Sequence, residues 1–409
     1  MTVVLFAAPL FTENAKMFIG AVADLPGVRL GLISQDPLEH LPPAIRERVT
    51  AHWRVDDALD TTQLIAAARS LSERLGPVHR LLGVIEQIQE PLADARERLG
   101  VPGMRAEPVR NFRDKARMKT LLRGAGLPCA RHRLAAGEGD AWPFAAEAGY
   151  PLVVKPPAGA ASQATYRVDG PDALRDALRA SAPAPGREVL LEEFIVGEEG
   201  SFDTFSLAGR VVFHSITRYA PTPLEVMRSP WIQWTVVLPR EVDAPAYDDI
   251  RQAGSRALEV LGMETGMCHL EWFRRRDGSL AISEVAARPP GAQITTLISR
   301  AHDFDSVAAW ARLVVFDTFD TPVERRYAAG AAYLRGQGDG GRVRAVFGLD
   351  QVQRELGHLV TDARVPQPGQ PRAATYEGEG FVIVRHPETA VVADAVRRIV
   401  STVRVELGE

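Results

Sequence analysis

MCHLEWFRRRDGSLAISEVAARPP, residues 267–290, is the stretch on which the reading of this chain turns. Two β-rich runs flank Asp277-Gly278, and Asp-Gly is the strongest short signal for a hairpin with a two-residue type I′ turn. With those two residues as the loop, Arg276 pairs with Ser279, and the ladder sets Glu271 opposite Glu284, His269 opposite Ala286 and Met267 opposite Arg288. Strand side chains alternate between faces, so all six share one side. Opposed Cβ atoms lie about 4.5–5.5 Å apart, where two carboxylates repel. A divalent cation would remove the conflict, because Mg²⁺ is typically held by one or two carboxylates together with phosphate oxygens. Arg288, further along the same face, would then neutralise an oxyanion or phosphate beside the metal. A solvent-facing hairpin side is the competing reading, with Cys268, Leu270, Trp272 and Val285 filling a core on the other face.

The chain around this hairpin is ordinary in its totals. At 409 residues it is too long for one core and suggests two or three domains. Hydrophobic residues make up 46% and charged residues 24%, as in globular proteins generally. A net charge of −4 gives no reason to expect nucleic acid or an anionic membrane as partner. The two cysteines, Cys129 and Cys268, lack CxxC spacing, so neither a disulfide framework nor a thiolate zinc site is expected. The opening MTVVLFAAPLFTENAKMF has no basic start, and Pro9, Thr12, Glu13 and Asn14 break its apolar run. No run of 18 apolar residues follows anywhere. The expectation is a cytoplasmic protein.

Outward from the hairpin, strands and helices alternate. Residues 2–8 and 28–34 read as strands around a helix at 12–24; 61–75 reads as a helix and 79–86 as a strand. That order predicts a small parallel α/β domain ending near residue 110. It has no GxGxxG after its first strand, so a dinucleotide site is not indicated there. An amphipathic helix is expected over 114–128, stopped by Gly124 and Gly126 with Pro128 beyond. Strands follow at 150–157 and 188–195, with a helix at 171–181 between them. Residues 201–290 read mostly as strand with one helix at 246–262, and the chain ends on a helix at 388–403.

Three further features suit a nucleotide. Lys115 opens the helix in DKARMK, and Lys155 ends the strand PLVVKPP, where a lysine can reach phosphate oxygens as a point charge. The small-residue run AGAASQA (158–164) lets backbone N–H groups approach phosphates, although a flexible linker would look similar. LLEEFIVGEE (190–199) is an acidic-hydrophobic segment leaving a strand. The long segment TRYAPTPLEVMRSPWIQW (217–234) is aromatic and Pro-rich, so Arg228, Trp231 and Trp234 are candidates for a substrate pocket or for packing. His269 beside the metal acids is a candidate substrate contact or a structural histidine.

In this order, a lysine on a linker helix, a Lys-Pro strand end, a small-residue loop, E-E-F-I-x-G-x-E, then two acids and an arginine on a hairpin, the chain resembles the ATP-grasp superfamily over roughly 111–295. The resemblance implies an α/β (α+β) ATP-grasp fold with a Rossmann-like N-terminal domain and a β-rich C-terminal extension. It implies parts at 1–110, 111–195, 196–324 and 325–409. It further implies that Lys115 and Lys155 contact the α- and β-phosphates of ATP, and that Ser162 and its neighbours cover them. Glu192 would accept from the adenine amino group, Glu193, Phe194 and Ile195 would form the purine slot, and Glu199 would hold the ribose. Glu271 and Glu284 would bind Mg²⁺, with Mn²⁺ as the alternative ion, and Arg288 would steady developing negative charge.

The chain departs from the family pattern in two places. Ala161 and Ala164 stand where glycines are common, and the E-x-N-x-R signature reads Glu284-Val285-Ala286-Ala287-Arg288, without the asparagine that would hold a second metal ion. The E-x-A-A-R form, preceded by His269-Leu270-Glu271, is similar to the bacilysin-type L-amino-acid (dipeptide) ligases. That similarity implies a ligase joining a carboxylate to an amine, working on small molecules and assembling as a homodimer. Two other readings stand beside it: a biotin-carboxylase-like or formate-using enzyme, and a non-catalytic ATP-binding module.

Overall fold

TVVLFA, the apolar run near the N-terminus, is strand Thr2–Ala7, and it has no polar face because both faces are covered. Val4 and Phe6 join one core while Val3, Leu5 and Ala7 join another. The computed structural model of the chain describes residues 1–159, 164–229 and 231–409. Around that first strand the order is Val49–Arg54, Val28–Ser34, Thr2–Ala7, Val78–Leu82, all parallel. Helices Glu13–Ala23 and Thr61–Leu75 begin where Thr12 and Asp60 accept hydrogen bonds from Ala15 and Thr62 backbone N–H groups. The expected parallel α/β domain is therefore present, with the further helices Gln89–Leu99 and Ala106–Arg113, which the sequence reading lacks.

The linker helix runs Lys115–Gly124, within the expected 114–128; the Asp114 carboxylate caps its start by accepting from Ala116 and Arg117 N–H groups at 2.9 and 3.0 Å, and it ends at Gly124. Next comes a four-stranded antiparallel sheet in the order His132–Ala135, Val189–Glu193, Leu152–Lys155, Tyr166–Val168. Helices Glu138–Ala148 and Pro171–Ser181 cover it; Pro143 inside the first obscures it in the sequence.

The largest element is an eight-stranded antiparallel sheet. Its order is Leu280–Ala286, Gly266–Arg275, Gly197–Leu207, Arg210–Ala220, Trp234–Leu238, Ala328–Leu334, Gly380–His386, Val360–Arg364. Three of those strands come from beyond residue 324, so the division expected there runs through a continuous sheet. The Pro-rich segment after residue 220 contains a helix, Pro223–Arg228, started by a capping box between Thr222 and Glu225.

Candidate active site

The hairpin closes differently from the Asp-Gly expectation, yet the acids meet as expected. The Arg275 N–H donates to the Ser279 carbonyl at 2.9 Å, so the loop is Arg276-Asp277-Gly278, with Gly278 at φ +85°. A three-residue loop with a left-handed glycine shifts the ladder by one residue near the turn, where Trp272 pairs with Ile282. The register then shifts back between Glu271 and Trp272, leaving Ser283 as the extra residue of a bulge. Beyond it Glu271 faces Glu284 and His269 faces Ala286. Cys268, Leu270, Trp272, Ile282 and Val285 pack into one core on the opposite face.

A cavity of about 460 Å³ lies between this hairpin and the four-stranded sheet. Its walls bring together Lys115, Lys155, Glu192, Glu193, Phe194, Ile195, Glu199, Glu271 and Glu284, residues that are up to 169 positions apart between Lys115 and Glu284. Ser162 lies outside the described residues. The wall also includes Thr222–Glu225 from the capped helix and Arg167, whose guanidinium lies 4.5 Å over the Phe194 ring.

Charge is arranged in two clusters. Glu192 is buried between Lys155 Nζ at 3.0 Å and Lys119 Nζ at 3.4 Å. Burial works against the Glu192 charge, but the two lysines outweigh it and hold its pKa below the usual value. Burial depresses Lys119 despite Glu192, whereas Glu192 and Glu284 overcome burial at Lys155 and raise it. The Glu192 carboxylate is thus ion-paired with two lysines, while its Oε1 has no hydrogen-bond partner and is left to accept one. Lys119 also donates to the carbonyl of the bulged Ser283 at 2.7 Å, tying the linker helix to the strand that carries Glu284.

The second cluster is richer in acids. Lys115 Nζ lies 2.9 Å from Glu284 and donates to the Gly159 carbonyl at 2.8 Å. Burial would raise the Glu284 pKa, but Lys115 and Lys155 outweigh it and pull it to about 2. Burial and then Glu271 push Glu199 well above the carboxylate range. His269 Nδ1 bonds Asp203 at 2.6 Å and its Nε2 lies 3.5 Å from Glu271. Burial opposes its charge, yet Asp203 raises it to about 10, so the ring is a cation held between two acids. Ser201 and Thr217 hydroxyls donate to the other Asp203 oxygen at 2.6 and 3.2 Å.

Among the described residues no group of three His, Cys, Asp or Glu side chains is assembled for a metal. The donor set that exists, Glu271 and Glu284, supplies hard oxygens only, and this fits Mg²⁺ completed by phosphate oxygens. Ala286, two residues along from Glu284, adds no ligand.

Arg288 does not line the cavity. Its Nε bonds Glu86 from the N-terminal domain, its Nη1 donates to the Pro289 carbonyl at 2.9 Å, and Arg113 holds the other Glu86 oxygen at 3.1 Å. Two expected substrate contacts are misplaced. Trp234 is only 2% exposed and packs in the core against Tyr333, because its strand lies in the middle of the large sheet. Arg228 is exposed at the end of the capped helix, away from the cavity wall. The sequence reading also misses Lys119 and Glu86. Lys119 follows Lys115 by four residues and so shares its helix face. Glu86 follows the C-terminal end of a parallel strand, where open α/β sheets place their ligands.

Residues 148–297 match the model of the ATP-grasp domain. An L-arginine-specific L-amino acid ligase of Bacillus subtilis is 26% identical over 261 residues, which are 61% of this chain and 62% of that protein. The chain thus spans about three fifths of that relative. A carbamoyl phosphate synthase large chain of Kineococcus radiotolerans is 26% identical over 69% of this chain and 24% of its own length. Among solved structures, an L-amino acid ligase from Bacillus licheniformis superposes with a TM-score of 0.80 over 100% of this chain and 99% of its own, at 19% identity. N5-carboxyaminoimidazole ribonucleotide synthetase from Thermotoga maritima gives 0.69 over 100% of both chains at 16% identity. No helix among the described residues is long and apolar enough to cross a membrane. The chain therefore carries an ATP-grasp domain within a mixed α/β ATP-grasp fold that extends over its whole length.

Proposed function

We propose that this chain is an ATP-dependent ligase that joins the carboxyl group of an L-amino acid to an amine through an acyl phosphate, releasing ADP and phosphate. The observation that carries the reading is the opposition of Glu271 and Glu284 in a cavity that also presents Lys115 and Lys155. Two acids and two lysines lining a 460 Å³ space suit a polyphosphate with its cation.

In this reading Phe194 and Ile195 flank the base and Glu199 meets the ribose. The Glu193 side chain is occupied outside by Arg131 at 2.6 Å and Arg275 at 3.1 Å, which leaves its backbone for the base. Lys115 and Lys155 would hold phosphate oxygens. Glu271 and Glu284 would hold Mg²⁺ or Mn²⁺, which would spread the charge of the transferring phosphoryl group. A carboxylate oxygen of the substrate attacks the γ-phosphorus and ADP leaves. The amine then attacks the acyl carbon, phosphate departs with the electron pair of the C–O bond, and the nitrogen loses its proton. Arg288, released from or shared with Glu86, stabilises the tetrahedral oxyanion. A homodimeric assembly and a cytoplasmic setting belong to this same reading, as do the expected boundaries near residues 110 and 195.

The test is phosphate release from the purified protein with Mg·ATP and single or paired L-amino acids, with the nucleotide product separated by chromatography. Amino-acid-dependent release of ADP supports the ligase. AMP as product overturns the acyl-phosphate route. Turnover only with bicarbonate or formate selects the carboxylase-like reading, and binding of Mg·ATP without turnover selects the binding module.

A further inference from the structure

Asp203 is a carboxylate with no exposed surface inside the eight-stranded sheet, and neither the nucleotide nor the cation reading uses it. Two rows of side chains cross the sheet there on one face. Glu284, Glu271, Ser201 and Thr217 form the first, and Ala286, His269, Asp203 and Ser215 the second. Each residue stands opposite the next on the neighbouring strand, and residues two apart along a strand share a face. The rows therefore lie side by side, the first starting at the paired acids of the cavity.

Three donors from these rows surround Asp203. His269 Nδ1 lies 2.6 Å from one oxygen, and the Ser201 and Thr217 hydroxyls lie 2.6 and 3.2 Å from the other. A buried carboxylate needs such donors, so stability alone would account for the three bonds. It does not account for where the ring points. A carboxylate only accepts, so Nδ1 carries the proton it shares with Asp203, and the imidazole sends Nε2 out of the cluster to within 3.5 Å of Glu271. Across the ladder Ala286 carries only a methyl and does not compete for Nε2. Glu284 has Lys115 at 2.9 Å, whereas His269 is the only ion-pair partner of Glu271 among the described residues.

Resting on the reading that Glu271 and Glu284 take a divalent cation, we propose that Asp203 is a positioning residue: it locks the His269 ring so that Nε2 anchors one Glu271 oxygen and leaves the other for that cation. Asp203 touches neither nucleotide nor cation and acts only through His269. A carboxylate behind a histidine commonly orients what the histidine holds.

Asp203→Asn keeps the volume and removes the charge that fixes the ring. The measurement is the Kd of ADP by calorimetry, in EDTA and in excess Mg²⁺; the ratio of the two is what the cation contributes. In Asp203→Asn that ratio should fall about 10-fold, the lower end of the range for losing a residue that orients a metal ligand. The Kd in EDTA should stay within about twofold of wild type. His269→Leu removes both ring donors at similar size and should lower the ratio as far. The double variant should lose no more than either single one, because the two residues act in series. If Asp203→Asn does not fold, His269→Leu decides alone. A ratio within twofold of wild type in either variant, whatever the thermal midpoint does, leaves Asp203 a stabilising residue and overturns the proposal, as does a double variant that loses the product of the two singles. A wild-type protein whose ADP affinity ignores Mg²⁺ overturns the cation site, and the proposal falls with it. No amino acid enters the measurement, so failure of the ligase chemistry is read separately, by phosphate release.

Discussion

The cluster around Glu192 and the cluster around Glu271 share one cavity and carry opposite surpluses. At Glu192 two lysines surround one carboxylate, and Lys119 and the Glu192 side chain are 0% and 6% exposed. At Glu271 three acids face Lys115 and the His269 cation, with the Glu271 and Glu284 side chains 26% and 23% exposed. The first cluster is closed and largely satisfied by its own members. The second is open and strained, by the burial of Glu199 first and by the Glu271 charge second, which together raise Glu199. A nucleotide triphosphate with its cation matches both surpluses at once, phosphate to the lysines and metal to the acids. The closed cluster should therefore carry stability and the open one activity.

Glu271→Gln gives the largest separation of the two. Removing one of the two opposed acids proposed to hold the cation should lower kcat by about 10²- to 10⁴-fold, several kcal/mol of barrier. The contact it loses in the free protein is the 3.5 Å approach to His269, so unfolding free energy should move by less than about 1 kcal/mol. Glu192→Gln should do the reverse in kind. It leaves Lys119 and Lys155 buried without their counter-charge, and breaking a buried pair costs about 3–5 kcal/mol. Urea unfolding reads this as a lower midpoint at unchanged slope. Equal loss of stability in both variants would break the division between the clusters.

What is legible in the sequence follows the same line. The open cluster can be read because its residues stand on a ladder whose register is nearly fixed by alternation: Glu271 and Glu284 meet as expected. They meet for a partly different reason, since a three-residue loop and the Ser283 bulge shift the pairing in opposite directions. Propensity favours Asp-Gly turns but does not foresee a bulge that Lys119 stabilises from another element. The partners of Arg288 and Glu192 are out of reach because they are tertiary: Glu86 and Lys119 come from 202 and 73 residues away. Composition alone points Trp234 toward a pocket, and its place in the centre of a sheet decides otherwise.

Glu199 sharpens the comparison through pH. Its folded pKa is raised above the ordinary 4.5, so above pH 4.5 the folded protein holds a proton that the unfolded chain has released. Stability of the ligand-free protein should then decline as pH rises from 4.5 toward the folded pKa, by at most about 1.4 kcal/mol per unit from this group. Glu199→Gln has no such proton and should show a flatter profile across that window, along with a KM for ATP raised about 10-fold by the weakened ribose contact. A wild-type profile that rises with pH and is unchanged in Glu199→Gln would show that the open cluster is not strained.

The smallest effect is expected at the turn. Gly278 at φ +85° has open space within 4 Å of where a Cβ would stand, so Gly278→Ala meets only the backbone penalty, about 1 kcal/mol. If the bulge and its Lys119 contact hold the register, that strain stops before Glu271 and Glu284. Activity should then stay within about twofold of wild type while the thermal midpoint drops by about one degree. A fall in kcat comparable to that of Glu271→Gln would mean that the turn, not the closed cluster, sets the opposition of the two acids.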